Sequence, residues 1–189
     1  MTTANIRRQS TTVPTGRMGM WWFLASEVLI FGGLITTYVL YRLRHPEWGS
    51  EAAHTITAAG AVNTMVLLTS SLTVVLAHEA ASRGDFKKTS RLLFVTVGGG
   101  LVFLCIKAFE YTHEIHSGYT PVTNLFWSFY YFMTALHGLH VVGGMAAITV
   151  VALKIRTVQE AAWVENVGLY WHLVDIVWIF LFPLLYLAS

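Results

Sequence analysis

The chain has 189 residues, of which 55% are apolar and only 12% charged, and its formal net charge is +2. An ordinary soluble domain carries roughly 25% charged residues, so this composition excludes a soluble enzyme and places the chain in a membrane. The small charge is spread over short polar segments and offers no basic face to nucleic acid, and the single Cys105 excludes an intrachain disulfide.

Residues 1–18 are polar, carry Arg7, Arg8 and Arg17, and lack an apolar core of their own. The run that follows is too long for a signal peptide and has no small-residue cleavage site after it. The expectation is a cytoplasmic tail ahead of a transmembrane domain over 19–189. Five apolar runs fill that domain, at about 20–41, 56–77, 92–111, 125–153 and 167–187. Each suffices to cross a ~30 Å hydrocarbon layer at ~1.5 Å per residue. The polar segments between them are short. The predicted fold is all-α: an integral membrane bundle of five transmembrane helices.

Basic residues set the orientation, because Lys and Arg concentrate in cytoplasmic loops. The tail, the second loop (Arg83, Lys87, Lys88, Arg91) and the fourth (Lys154, Arg156) outweigh the first loop, which has Arg42 and Arg44; the third loop has none. The N-terminus is therefore expected in the cytoplasm and the C-terminus outside. Trp21, Trp22 and Trp163 would lie near the inner interface, Trp48 and Trp127 near the outer one.

Ionisable residues inside these runs are the candidate sites, since each costs at least ~2.5 kcal/mol in hydrocarbon and faces protein or water. Glu27 falls roughly 10 Å into the first helix. His172 and Asp175 share a face of the fifth helix at i and i+3, inside the run Tyr170-Trp171-His172-Leu173-Val174-Asp175-Ile176-Val177-Trp178. With His137 and His140 on the antiparallel fourth helix, they form one layer, ~8–12 Å from the inner face. A buried His beside an Asp is more often a structural hydrogen bond than a ligand. Glu27 has no base within a helical turn, so it must be protonated, hydrogen-bonded by another helix or paired across a subunit boundary. Lys107 and Glu110 stand at i and i+3 near the outer end of the third helix, and their simplest reading is snorkelling toward the interface.

The histidines do not make a cofactor site by pattern. A di-iron bundle needs two Glu-x-x-His motifs, which the sequence lacks, and bis-haem ligation needs paired histidines on two helices, where the set is one short. Gly32-Gly33, Gly98-Gly99-Gly100, Gly138 and Gly143-Gly144 allow close helix approach within the chain or to a neighbouring subunit. The triple glycine would also weaken its helix or make room for a lipid chain. A small transporter or proton channel is compatible with intramembrane charge, but no inverted repeat or broken helix pair supports it.

Ser26-Glu27-Val28, Glu110-Tyr111, His137-Gly138-Leu139-His140-Val141 and Trp171-His172-Leu173-Val174-Asp175-Ile176-Val177-Trp178 occur in this order over about 19–188. In these motifs the chain resembles the cytochrome c oxidase subunit 3 family, subunit III of the haem-copper oxidases, in its short five-helix bacterial form. The resemblance implies a subunit without a redox centre that packs on subunit I, beside subunit II, binds phospholipid and supports sustained proton uptake. Haem and copper would reside in the catalytic partner, and the complex in the bacterial inner membrane. Glu27 aligns with the family's buried, carbodiimide-reactive carboxylate. Glu110, His137, His140, His172 and Asp175 complete the set of intramembrane polar residues. Against the longer seven-helix form, the expectation is a chain without its first two helices, so the lipid cleft that those helices help form does not carry over. Members of this family also serve quinol oxidases and accompany nitric oxide reductases, and the donor is not readable from this chain.

Overall fold

The computed structural model describes residues 15–157 and 160–187, with the side chains of 15–17 excluded. Most of the expected tail, with Arg7, Arg8 and the Arg17 side chain, lies outside the described residues. Six α-helices follow in order: α1 (Thr15–Arg44), α2 (Trp48–Ala52), α3 (Thr57–Ser82), α4 (Phe86–His116), α5 (Leu125–Lys154) and α6 (Ala161–Phe182). The chain then continues into a π-helical turn, Pro183–Leu187. All but α2 are long and apolar enough to cross a membrane.

The helices outrun the apolar stretches read from the sequence. α4 begins at Phe86 rather than near 92 and ends at His116 rather than near 111; α6 begins at Ala161 rather than near 167. Hydropathy marks only the hydrocarbon-crossing part, whereas backbone hydrogen bonds run on until a cap stops them. The caps are explicit. Gly84 takes φ 78°, and the N–H groups of Gly84 and Asp85 donate to the carbonyls of Ala81 and Ala80. This is a Schellman closure, which a residue with a Cβ resists. Asp85 then accepts from the Lys88 N–H at 3.0 Å and starts α4. One residue pair thus ends α3 and opens α4, forcing them into an antiparallel hairpin. The same closure ends α4: Gly118 sits at φ 91°, and the Tyr119 N–H donates to the Glu114 carbonyl.

α3 and α4 pack along their lengths, while α6 runs through the centre against α3 and α5. A Cβ built on Gly99 would lie 2.8 Å from Ser70 Cβ, and one on Gly144 would lie 2.9 Å from the Trp171 ring. Gly98-Gly99-Gly100 do not interrupt α4; Gly99 and Gly100 admit neighbouring helices, as small residues do in membranes. α1 is the peripheral helix. In its most apolar window 22% of residues are buried, against 44% for α6. Nothing lies within 4 Å of a Cβ on Gly32 or Gly33.

Trp48 and Trp127, expected near the outer interface, are packed inside the bundle. Trp48 is buried on α2 among Tyr38, Phe126 and Phe129, and Trp127 is buried with its Nε1 donating to Glu51 at 2.8 Å. The short α2 folds the first loop back onto the bundle, and sequence periodicity over five residues is too brief to announce that.

Candidate functional site

The expected polar layer divides into separate contacts. Glu27 on α1 meets His140 on α5, with Oε2 and Nε2 2.8 Å apart. His140 Nδ1 lies 2.8 Å from the Leu136 carbonyl oxygen, which only accepts, so Nδ1 carries a proton. Nε2 and Glu27 then share one proton: either imidazolium faces carboxylate, or neutral imidazole accepts from a carboxylic acid. The pair is neutral as a unit in both forms, which is why it tolerates an apolar setting. Phe31 packs edge-on against the imidazole, and the Tyr170 hydroxyl donates to the His140 carbonyl.

His172 and Asp175 form a second contact on α6, against α3. Ser71 Oγ lies 2.7 Å from His172 Nδ1, and the Asp175 carboxylate is 4.0 Å from the same nitrogen. That gap is too long for a direct hydrogen bond. Asp175 is buried, and neither of its oxygens has a hydrogen-bond partner among the described residues. His137 stands apart from both contacts. It is fully buried between Phe103 and Trp178, at ring separations of 5.4 and 5.2 Å, and neither nitrogen is hydrogen-bonded among the described residues.

The snorkelling reading of Lys107 and Glu110 is overturned. Lys107 is 5% and Glu110 0% exposed, and both face the bundle interior. Lys107 Nζ donates to Glu110 Oε2 at 2.9 Å, to the Tyr130 hydroxyl at 3.0 Å and to the Tyr186 hydroxyl at 2.7 Å. Its three N–H bonds are thus all used. Tyr111, Tyr130 and Tyr186 also set ring faces 4.7–5.5 Å from the ammonium, an aromatic cage that favours a cation. Tyr130 donates in turn to Glu114 Oε1 at 2.9 Å. Snorkelling fails because α4 continues beyond this level, and α5 and the π-helical turn close over it.

Sequence reasoning does not single out Glu114, Tyr130, Tyr186 or Ser71 as site residues. A signal existed for the first: Lys107, Glu110 and Glu114 at i, i+3 and i+7 lie on one helix face. It was hidden because Glu114 falls beyond the expected helix end. The tyrosines come from α5 and the terminal turn, and no local spacing links them to Lys107.

Among the described residues no group of three or more His, Cys, Asp or Glu is arranged to hold a metal ion. The fold and these internal contacts define an all-helical, multi-pass membrane protein. A family model described as cytochrome c oxidase subunit III matches residues 4–189. Cytochrome c oxidase subunit 3 of Thermostichus vulcanus is 35% identical over 177 residues, covering 91% of this chain and 87% of that protein. The subunit 3 of Alkalihalophilus pseudofirmus is 34% identical over 179 residues, covering 91% and 86%. A heme-copper oxidase subunit I+III of Aeropyrum pernix is 32% identical over 184 residues, which are 91% of this chain and 22% of that protein. The chain belongs to the cytochrome c oxidase subunit III family, the membrane-embedded third subunit of respiratory haem-copper oxidases.

Proposed function

We propose that this chain is a cofactor-free subunit III that packs on the haem- and copper-bearing subunit I, with subunit II in the same complex, and sustains its proton uptake. The relative in Aeropyrum pernix carries this reading. That protein is a subunit I+III, in which the two subunits are joined. The open face of α1 at Gly32 and Gly33 supports an intermembrane-helix contact there. Bound phospholipid would cover the remaining apolar surface. The polar residues Glu27, Glu110, His137, His140, His172 and Asp175 are read as the functional set, with Glu27–His140 the pair that moves a proton. The five-helix domain over 19–189 is read with its N-terminal tail in the cytoplasm, in the bacterial inner membrane.

A tagged chain taken from its native membranes in mild detergent should bring down a larger subunit with haem and copper. Absence of any haem protein in that preparation would sink the assembly reading. Glu27→Gln offers His140 Nε2 an amide N–H, so the complex should assemble and begin turnover at a normal rate. Its activity should then decline during sustained catalysis, because the amide cannot release a proton. An intact Glu27→Gln complex that never reduces oxygen would contradict this role. Reporter fusions after Ser50 and Ser117 should read outside, and those after Gly84 and Thr157 inside.

A further inference from the structure

The Lys107 cluster has more acceptors than it needs. Glu110 and Glu114 bring two carboxyl groups to one ammonium, and all three residues are buried. The ammonium balances Glu110 directly through their 2.9 Å contact. Glu114 is 1% exposed, and its Oε1 accepts from the Tyr130 hydroxyl. Glu110 Oε1 and Glu114 Oε2 are both buried without a hydrogen-bond partner among the described residues. These oxygens belong to residues at i and i+4 on one face of α4, adjacent positions on a helix.

Among the described residues, the groups packed around the cluster include no second cation. α4 adds Tyr111, whose hydroxyl is taken by Thr134. α5 presents Tyr130 and Tyr131, the latter donating to the Tyr119 carbonyl, and His137 stands beyond Trp178. The terminal turn adds Tyr186, and α3 reaches this level through Thr64, which accepts from Trp178 Nε1. On α2, Glu51 accepts from Trp127, behind Tyr130. An ionised Glu110 and Glu114 together would leave one net negative charge in the bundle, which a desolvated interior disfavours. One added proton removes it.

We propose that Glu110 and Glu114 form a binding site for a single exchangeable proton, shared between two carboxyl groups that have one ammonium, Lys107, in common. With the proton on Glu114, Glu110 pairs with Lys107; with it on Glu110, Glu114 takes up the counter-charge. Either way the cluster holds one acid, one carboxylate and one ammonium. The site needs no residue of the Glu27–His140 pair and does not depend on the proposed contact with subunit I.

Infrared spectroscopy of the full chain in its native complex reads this count, because a carboxylic acid has a carbonyl stretch that shifts in heavy water and a carboxylate does not. Against the unmodified complex, Glu114→Gln should remove one acid equivalent. Glu110→Gln should remove the same equivalent, since Glu114 then ionises against Lys107. Lys107→Met should add one equivalent, doubling the cluster's contribution, because each carboxyl then takes its own proton. A Glu110→Gln spectrum that keeps the acid band would mean a proton fixed on Glu114, and would overturn sharing. An unchanged Glu114→Gln spectrum would mean that no proton is held. If Lys107→Met does not assemble, the two glutamine variants decide alone.

Discussion

α1 and the α4–α5–α6 interior both bury charged residues in apolar helices, but they do so by different means. On α1, Glu27 reaches a single partner, His140, and the helix around it is mostly uncovered. In the interior, Lys107 is held by one carboxylate and two phenols contributed by α4, α5 and the terminal turn. A one-contact pair across a lightly packed helix can open or change its proton without disturbing the bundle. A caged ammonium joining separate chain segments cannot move without unpacking them. Burial alone therefore does not mark a residue as mobile or functional; the number of elements that hold it does.

Removing Lys107 should be the most damaging way to break this comparison. Lys107→Ala strips the ammonium from two buried carboxyl groups and empties an aromatic cage. Loss of one partner from a buried ion pair costs about 3–5 kcal/mol, and proton uptake by the carboxyls should hold the loss to about 3 kcal/mol. Chemical or thermal unfolding in detergent measures it. The equivalent disruption at the edge, Glu27→Gln, should leave unfolding within about 1 kcal/mol of the original because a hydrogen bond remains. Equal losses in the two variants would erase the distinction.

Glycine substitutions sharpen the same contrast at smaller scale. Gly144→Val drives a side chain into the rigid Trp171 ring, and overpacking of this kind costs about 1–3 kcal/mol. Gly32→Leu meets nothing within the chain, so unfolding should be almost unchanged. If α1 is the contact with subunit I, Gly32→Leu should instead reduce copurification of the haem subunit. A Gly32→Leu variant that unfolds as early as Gly144→Val would contradict the peripheral placement of α1.

The smallest effect concerns pH at the entry to α6, outside the spanning segments. The Arg156 and Thr157 N–H groups donate to the Glu160 carboxylate at 2.6 and 2.9 Å and hold it below the usual carboxylate range. A depressed carboxyl stabilises the fold at neutral pH, and that contribution disappears as pH falls through its folded-state value. Glu160→Gln should remove this dependence, seen as a flatter unfolding midpoint against pH in the acid range. Partial exposure to solvent keeps the effect small.

Composition and the lengths of the apolar runs determined the all-α class and the number of candidate spans, because hydrocarbon admits few other ways to satisfy a backbone. The sequence also contained the α3–α4 corner in Gly84-Asp85, whose φ preference and side-chain acceptor act within a few residues. Helical spacing placed Lys107 and Glu110 on one face for the same local reason. The partners of the buried charges were decided elsewhere. Glu27 and His140 lie 113 positions apart, and Lys107 and Tyr186 lie 79 apart. Joining them requires the relative rotation and register of whole helices, set by packing such as Gly144 against Trp171. Helical periodicity specifies which residues share a face; only the packed bundle specifies which face meets it.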